Sequence, residues 1–231
     1  MSRPFVRRAP GWCPPRIEAA GHVTRPPLAA RRAGRPTHLD EGAILNDNDG
    51  RTTWVLIDGE NIDATLGGSI LGRRPQPDER PRWDRLLDFA ERQWAQSARG
   101  VFFLNASMGI PMPFVQALKA MDYIVVPLSG SPDEKVVDIA IQRTLQALLA
   151  RPEDVMLVSH DGDFLHDLGA LLAADRRVAV AAFSEFRNAG FATLAGLEKF
   201  DLEYDAHVFD APLPRIRVIP IDEFDPSDFL R

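Results

Sequence analysis

Val155-Met156-Leu157-Val158-Ser159-His160-Asp161-Gly162-Asp163-Phe164 is the stretch on which the fold turns. A short, uninterrupted apolar run stops at a serine, and two aspartates spaced around a glycine lead into a helical pattern. A second apolar run occurs earlier, in Trp54-Val55-Leu56-Ile57-Asp58-Gly59-Glu60-Asn61, and stops directly at an aspartate. Apolar runs without alternation are the mark of strands covered on both faces, as in a parallel sheet. In open α/β sheets, ligands bind outside the carboxyl ends of the strands, at the point where strand order reverses. A fourth acid, Asp138 in Glu134-Lys135-Val136-Val137-Asp138, falls near the start of an amphipathic helix. Carboxylates gathered at one strand edge repel one another unless a hard cation neutralises them. The pattern therefore points to a divalent-metal site, and such sites commonly act on phosphate esters.

Outward from these segments, strands and helices alternate. Strands are expected at Trp54–Ile57, Val101–Leu104, Tyr123–Pro127, Val155–Val158 and Val178–Ala182, with an edge strand near Lys199–Leu202. Helices are expected at Trp83–Gln96, Pro113–Met121, Asp133–Leu149 and Phe164–Ala173, and a short one near Ala189–Leu197. In the third of these, Val137, Ile141, Leu145 and Leu148 recur at helical spacing. Such alternation implies βαβ crossovers and a mainly parallel sheet covered by helices on both faces. Residues 62–83 read as a long connection on the carboxyl side of the sheet, where Arg73, Arg74, Arg80 and Arg82 would bring positive charge to the acids. For any one of these arginines, a solvated surface position is the simpler reading.

The chain has 231 residues, enough for one α/β domain with extensions. Cys13 is the only cysteine, which excludes an intramolecular disulfide and a cysteine-based zinc site. No apolar run approaches the ~20 residues of a membrane span, and the start lacks the apolar core of a secretory signal. The expected setting is the cytoplasm. Charge is uneven: residues 1–39 hold eight arginines against one acid, a net +7, which leaves −13 on residues 40–231 for the total of −6. Residues 1–50, rich in Pro and Arg, read as a disordered basic arm, 51–205 as the folded domain and 206–231 as an extension with an acidic tail. The arm offers weak contact with RNA or a membrane, and a dispensable leader is the plainer reading. Arg215-Ile216-Arg217-Val218-Ile219 is β-prone and suits a strand added to a sheet edge, here or on a protein partner.

Several acids have structural readings beside the functional ones. Ser131 and Glu134 fit a capping box with Pro132 at the first helical position, which occupies Glu134. Lys135 lies three residues before Asp138 and either neutralises it or reaches a phosphate. Asp163 suits the cap of the helix starting at Phe164, which leaves Asp161 without a structural task. Asn61 either orients a ligand or shapes the turn after Asp58, and Ser159 either donates to a phosphate or orients a carboxylate. His160 and His166 are expected to pack or to sit at the surface. Two other acid-bearing α/β designs fit less well. A haloacid-dehalogenase-type phosphatase needs a second aspartate where Glu60 stands. A receiver domain needs a late lysine, and none lies between Lys135 and Lys199.

Taken in order, Val55-Leu56-Ile57-Asp58-Gly59-Glu60-Asn61-Ile62, Lys135-Val136-Val137-Asp138 and Val158-Ser159-His160-Asp161-Gly162-Asp163-Phe164 resemble the three signature blocks of NYN domains. These domains belong to the PIN-like nuclease superfamily, and the chain looks closest to its LabA-like bacterial branch. The resemblance spans about residues 52–204 and implies a three-layer α/β/α sandwich with a mainly parallel central sheet. It also implies that Asp58, Asp138, Asp161 and Asp163 hold Mg²⁺ or Mn²⁺ for cleavage of RNA. Asn61, Ser159 and Lys135 would assist, and Arg73, Arg74 and Arg82 would meet the substrate. A homo-oligomer is compatible with these features. A non-catalytic RNA-binding module and, further off, a phosphomonoesterase are the alternatives. His160 stands where a small residue is often found, which narrows the site without removing a ligand.

Overall fold

The computed structural model describes residues 50–131, 133–216, 219, 221, 224–228 and 230. Residues 1–49 of the basic arm, Pro132 and residues 217, 218, 220, 222, 223, 229 and 231 of the tail lie outside them. Six strands form one sheet: β1 Thr53–Asp58, β2 Ala98–Asn105, β3 Ile124–Leu128, β4 Asp154–Val158, β5 Val178–Ala182 and β6 Glu198–Asp201. Their order is β3-β2-β1-β4-β5-β6, and every neighbouring pair is parallel. The chain moves outward from β1 to β3, returns to β4 beside β1, and moves out again. That reversal between β1 and β4 is the switch point at which crossovers diverge to opposite faces and leave a crevice at the carboxyl edge.

The continuous apolar runs are explained by the layers on each face. Val55 and Ile57 of β1 bury into a cluster with Leu86, Phe89 and Trp94 of helix α2 (Trp83–Trp94) and Leu118 of α3 (Met112–Ala120). Leu56, one residue apart and so on the opposite face, packs with Val137, Ile141 and Leu145 of α4 (Val136–Leu148) and Leu168 and Leu171 of α5 (Leu165–Ala173). The architecture is a three-layer α/β/α sandwich. At the amino edge, buried Asp154 is fully engaged: it accepts from Gln96 Nε2 at 3.1 Å and from the Arg177 N–H at 2.8 Å. An acid satisfied in this way closes the domain and leaves the chemistry to the other edge.

Three local expectations are corrected. The presumed long connection after β1 begins as a helix, Gly59–Ala64, and continues as a π-helical turn, Thr65–Leu71. Ile62 and Leu66, four residues apart, bury into the core and hold it in place. Its Asp, Thr and Gly content masks that signal, because these residues have weak intrinsic helix preference. Helix α4 starts at Val136 rather than Asp133. Ser131 and Glu134 instead close a separate turn, with Glu134 N donating to Ser131 O at 3.0 Å and Ser131 N donating to Glu134 Oε2 at 3.2 Å. The segment near 189–197 is a single 3₁₀ stretch, Ala189–Thr193.

Beyond β6 the chain folds back onto the core. Ala206 and Val208 are buried, and the Arg82 N–H donates to Val208 O at 2.6 Å. Arg215 closes this return. Its side chain is 3% exposed and pairs with Asp201 at 2.7 Å, with Glu203 at 3.2 Å and with Glu185. Its guanidinium also lies 4.9 Å from the Phe183 ring centre and 4.8 Å from that of Tyr204. No strand follows Asp201 among the described residues.

Candidate metal centre

Asp58 ends β1 at the switch point and is 3% exposed. One of its oxygens accepts from the Asn61 N–H at 3.2 Å and so caps the helix that follows; the other accepts from Ser159 Oγ at 3.0 Å. Ser159 sits just past β4, so this bond ties the two central strands at the crevice. Burial pushes the Asp58 carboxyl up to about 6. The two hydrogen bonds oppose that shift, and the like charges of Asp138 and Glu60 reinforce it.

Asp138, Asp161 and Asp163 each offer an oxygen to one place, and these oxygens all lie within 4.8 Å of one another. Asp138 comes from the first turn of α4, with its carboxylate 19% exposed. Asp161 and Asp163 come from the turn after β4. Asp161 Oδ1 accepts from the Asp163 N–H at 3.0 Å, so Asp161 is the cap of the Gly162–Phe164 3₁₀ turn, a task the sequence had assigned to Asp163. This frees the Asp163 carboxylate, 56% exposed, to face the cluster. Asp58 lies outside the group of three, and it and Asp138 feel each other's charge. Lys135 reaches across the front, with its Nζ 3.4 Å from Asp138 and 3.2 Å from Asp163. These side-chain bonds to Asp163 and Asp138, with the charges of both, hold its ammonium above the usual lysine range.

The donor set is all carboxylate oxygen, on two elements that meet at the crevice. Hard cations such as Mg²⁺ and Mn²⁺ take such ligands, with water completing the shell. The residues therefore fit a divalent ion.

Behind the cluster, His160 is buried by design. Its Nε2 accepts from the Phe183 N–H at 3.0 Å, so the proton resides on Nδ1, which donates to Asn61 Oδ1 at 2.7 Å. Asn61 Oδ1 also accepts from the His160 N–H at 2.9 Å. Burial holds the imidazole down to about 4, so it is neutral at pH 7. Asn61 thus positions the loop carrying Asp161. Asn61→Ala strips both donors of their acceptor and is expected to cost about 1–3 kcal/mol, the penalty of leaving buried polar groups unmet. The urea midpoint of the purified variant measures it; an unchanged midpoint would mean that water replaces the amide.

The arginines divide. Arg73 is held by Glu79 through two bonds, at 2.7 and 2.5 Å, and Arg82 by Asp84 at 3.5 Å and Asp210 at 3.4 Å. Arg74 instead lines a cavity beside Glu60 and Asp63, together with Arg80. His166 is exposed. No sequence signal marks the His160–Asn61 pair or this cavity, because their parts come from segments far apart in the chain.

A three-layer sandwich with parallel strands in this order and a carboxylate cluster at the switch point defines a Rossmann-like α/β protein with an acidic crevice at its carboxyl edge. The NYN domain family profile matches residues 52–194, and the chain belongs to that family, within the PIN-like nuclease superfamily. Among solved structures, it is similar to a protein of unknown function from Vibrio parahaemolyticus RIMD 2210633, at 15% identity with a TM-score of 0.54, over 70% of this chain and 98% of that one. That likeness supports the fold alone. No curated protein matches the chain. No helix among the described residues is long and apolar enough to cross a membrane.

Proposed function

We propose that the chain is a metal-dependent ribonuclease that hydrolyses RNA phosphodiester bonds in the cytoplasm. The observation carrying this reading is the convergence of Asp138, Asp161 and Asp163 within 4.8 Å at the switch point of a fold whose family is nucleolytic. These three carboxylates would hold Mg²⁺ or Mn²⁺, with Asp58 adding negative charge from outside the group. Such an ion lowers the pKa of water and offsets charge developing on the phosphate. With the charge of Asp138 and Asp163 offset by a bound cation, Lys135 would be able to turn from them to a phosphate oxygen. Asp58 and Ser159 keep β1 and β4 locked at the crevice, and Asn61 and His160 hold the Asp161 turn. No side-chain nucleophile is required.

One observation favours a second reading. Lys135 already bridges two of the three carboxylates, as a resident cation would in a non-catalytic RNA-binding module. Incubation of the full chain with a pool of structured and single-stranded RNA in Mn²⁺, Mg²⁺ or EDTA separates the two. Cleavage that EDTA abolishes is the expected result. RNA retained without cleavage in any metal would establish the binding module instead.

A further inference from the structure

Against α1 (Gly59–Ala64) at the carboxyl edge lies a cavity of about 210 Å³. Trp83, Phe102 and Phe114 form its wall, and Glu60, Asp63, Arg74 and Arg80 its rim. The wall is rigid: Phe102 meets Trp83 at 5.2 Å and Phe114 at 5.3 Å, edge to face in both cases. The rim is polar in both senses. Arg80 donates to Asp63 at 3.0 Å, while its Nε is buried with no acceptor. Arg74 enters no ion pair among the described residues. A second hollow shares Glu60, Asp63 and Arg74 and runs along the π-helical turn.

We infer that this cavity receives one unpaired nucleobase of the RNA strand, guanine before the others. The inference rests on the reading of the chain as an RNA-acting protein. Its size is below the ~300–1,000 Å³ of drug-sized ligand sites, so it suits a single ring system. Aromatic walls beside a polar rim are the usual receptor for an unstacked base. Guanine presents N–H donors at N1 and N2, which a carboxylate of Glu60 or Asp63 accepts. Its O6 accepts from a guanidinium, which Arg74, exposed on the rim, supplies. Uracil has one ring donor and no amino group, so it leaves a rim carboxylate unmatched. The site lies one helix beyond Asp58, about 7.5 Å along the axis from Asp58 to Asp63.

The test uses full-length Asp161→Asn protein, so that the RNA stays intact, and fluorescein-labelled octamers of uridine. The central position carries guanine, adenine, cytosine, uracil or an abasic sugar. The guanine octamer is expected to bind roughly tenfold tighter than the uracil and abasic ones. Phe114→Ala, which removes the wall, and Asp63→Asn, which alters only the rim, are each expected to erase that advantage. Equal binding of all five octamers overturns the inference, as does a guanine advantage that survives both variants. Tightest binding of another base overturns the choice of guanine. The nuclease reading is judged apart, by EDTA-sensitive cleavage of mixed RNA by the unmodified protein. Cleavage without base preference removes only the pocket, and base preference without cleavage removes only the nuclease.

Discussion

Asp161→Asn is expected to lower metal-dependent RNA cleavage roughly 100- to 1,000-fold, the range seen when one preorganised electrostatic contributor is removed from a site, while the protein stays folded. The two effects separate because Asp161 has two tasks. Its Oδ1 accepts from the Asp163 N–H at 3.0 Å and caps the turn after β4. An asparagine oxygen caps equally well, so the urea midpoint should be unchanged. The lost charge is one of three converging within 4.8 Å, and hard cations lose affinity with each anionic ligand removed. Weaker Mn²⁺ binding by calorimetry should therefore accompany the slower cleavage. Equal cleavage by the variant and the parent protein from the same preparation would trace the activity to a contaminant. Lost cleavage with intact Mn²⁺ binding would move the ion to other ligands, with Asp58 the first to examine.

Arg215→Ala should be the most destabilising single change outside the central strands, at about 3–5 kcal/mol, the cost of removing one partner from a buried ion pair. The guanidinium is held between two aromatic rings and three carboxylates, and Asp201, 3% exposed, is left behind. Burial alone would raise the Asp201 carboxyl. The bonds from Arg215, the Ser184 N–H and hydroxyl, and the Tyr204 N–H outweigh it and hold the group well below the ordinary range. The pH dependence follows in sign. A carboxyl depressed in the folded state contributes its stabilisation above its unfolded value of 3.8, and the contribution fades as pH falls through the folded value. The difference in urea midpoint between parent and variant should thus be constant from about pH 5 to 8 and shrink below about pH 4. A difference that is absent at neutral pH would mean that the chain after β6 contributes little to the domain.

These two sites differ in how far the sequence foretells them. The strands were legible because a parallel sheet covered on both faces demands unbroken apolar runs, and Val55-Leu56-Ile57 and Val155-Met156-Leu157-Val158 are such runs. Helix α4 was legible because Val137, Ile141 and Leu145 keep a 3.6-residue period. The turn between β1 and α2 was not, since Ile62 and Leu66 are the only strong markers in a segment of weak helix formers. Arg215 read as part of a β-prone tail. Its actual role depends on Asp201, Glu185 and Glu203, which local periodicity does not connect to it.

By itself the sequence determined the α/β alternation, the family and the strand-edge positions of the candidate acids, because each follows from local period and residue type. Tertiary structure alone decided that Asp138, Asp161 and Asp163 converge while Asp58 is buried outside that group. It also decided that Lys135 spans the cluster and that aromatic residues from α2, β2 and α3 line a cavity against α1. The physical reason is that convergence, desolvation and enclosure are properties of side chains brought together by packing, and no stretch of chain carries them on its own.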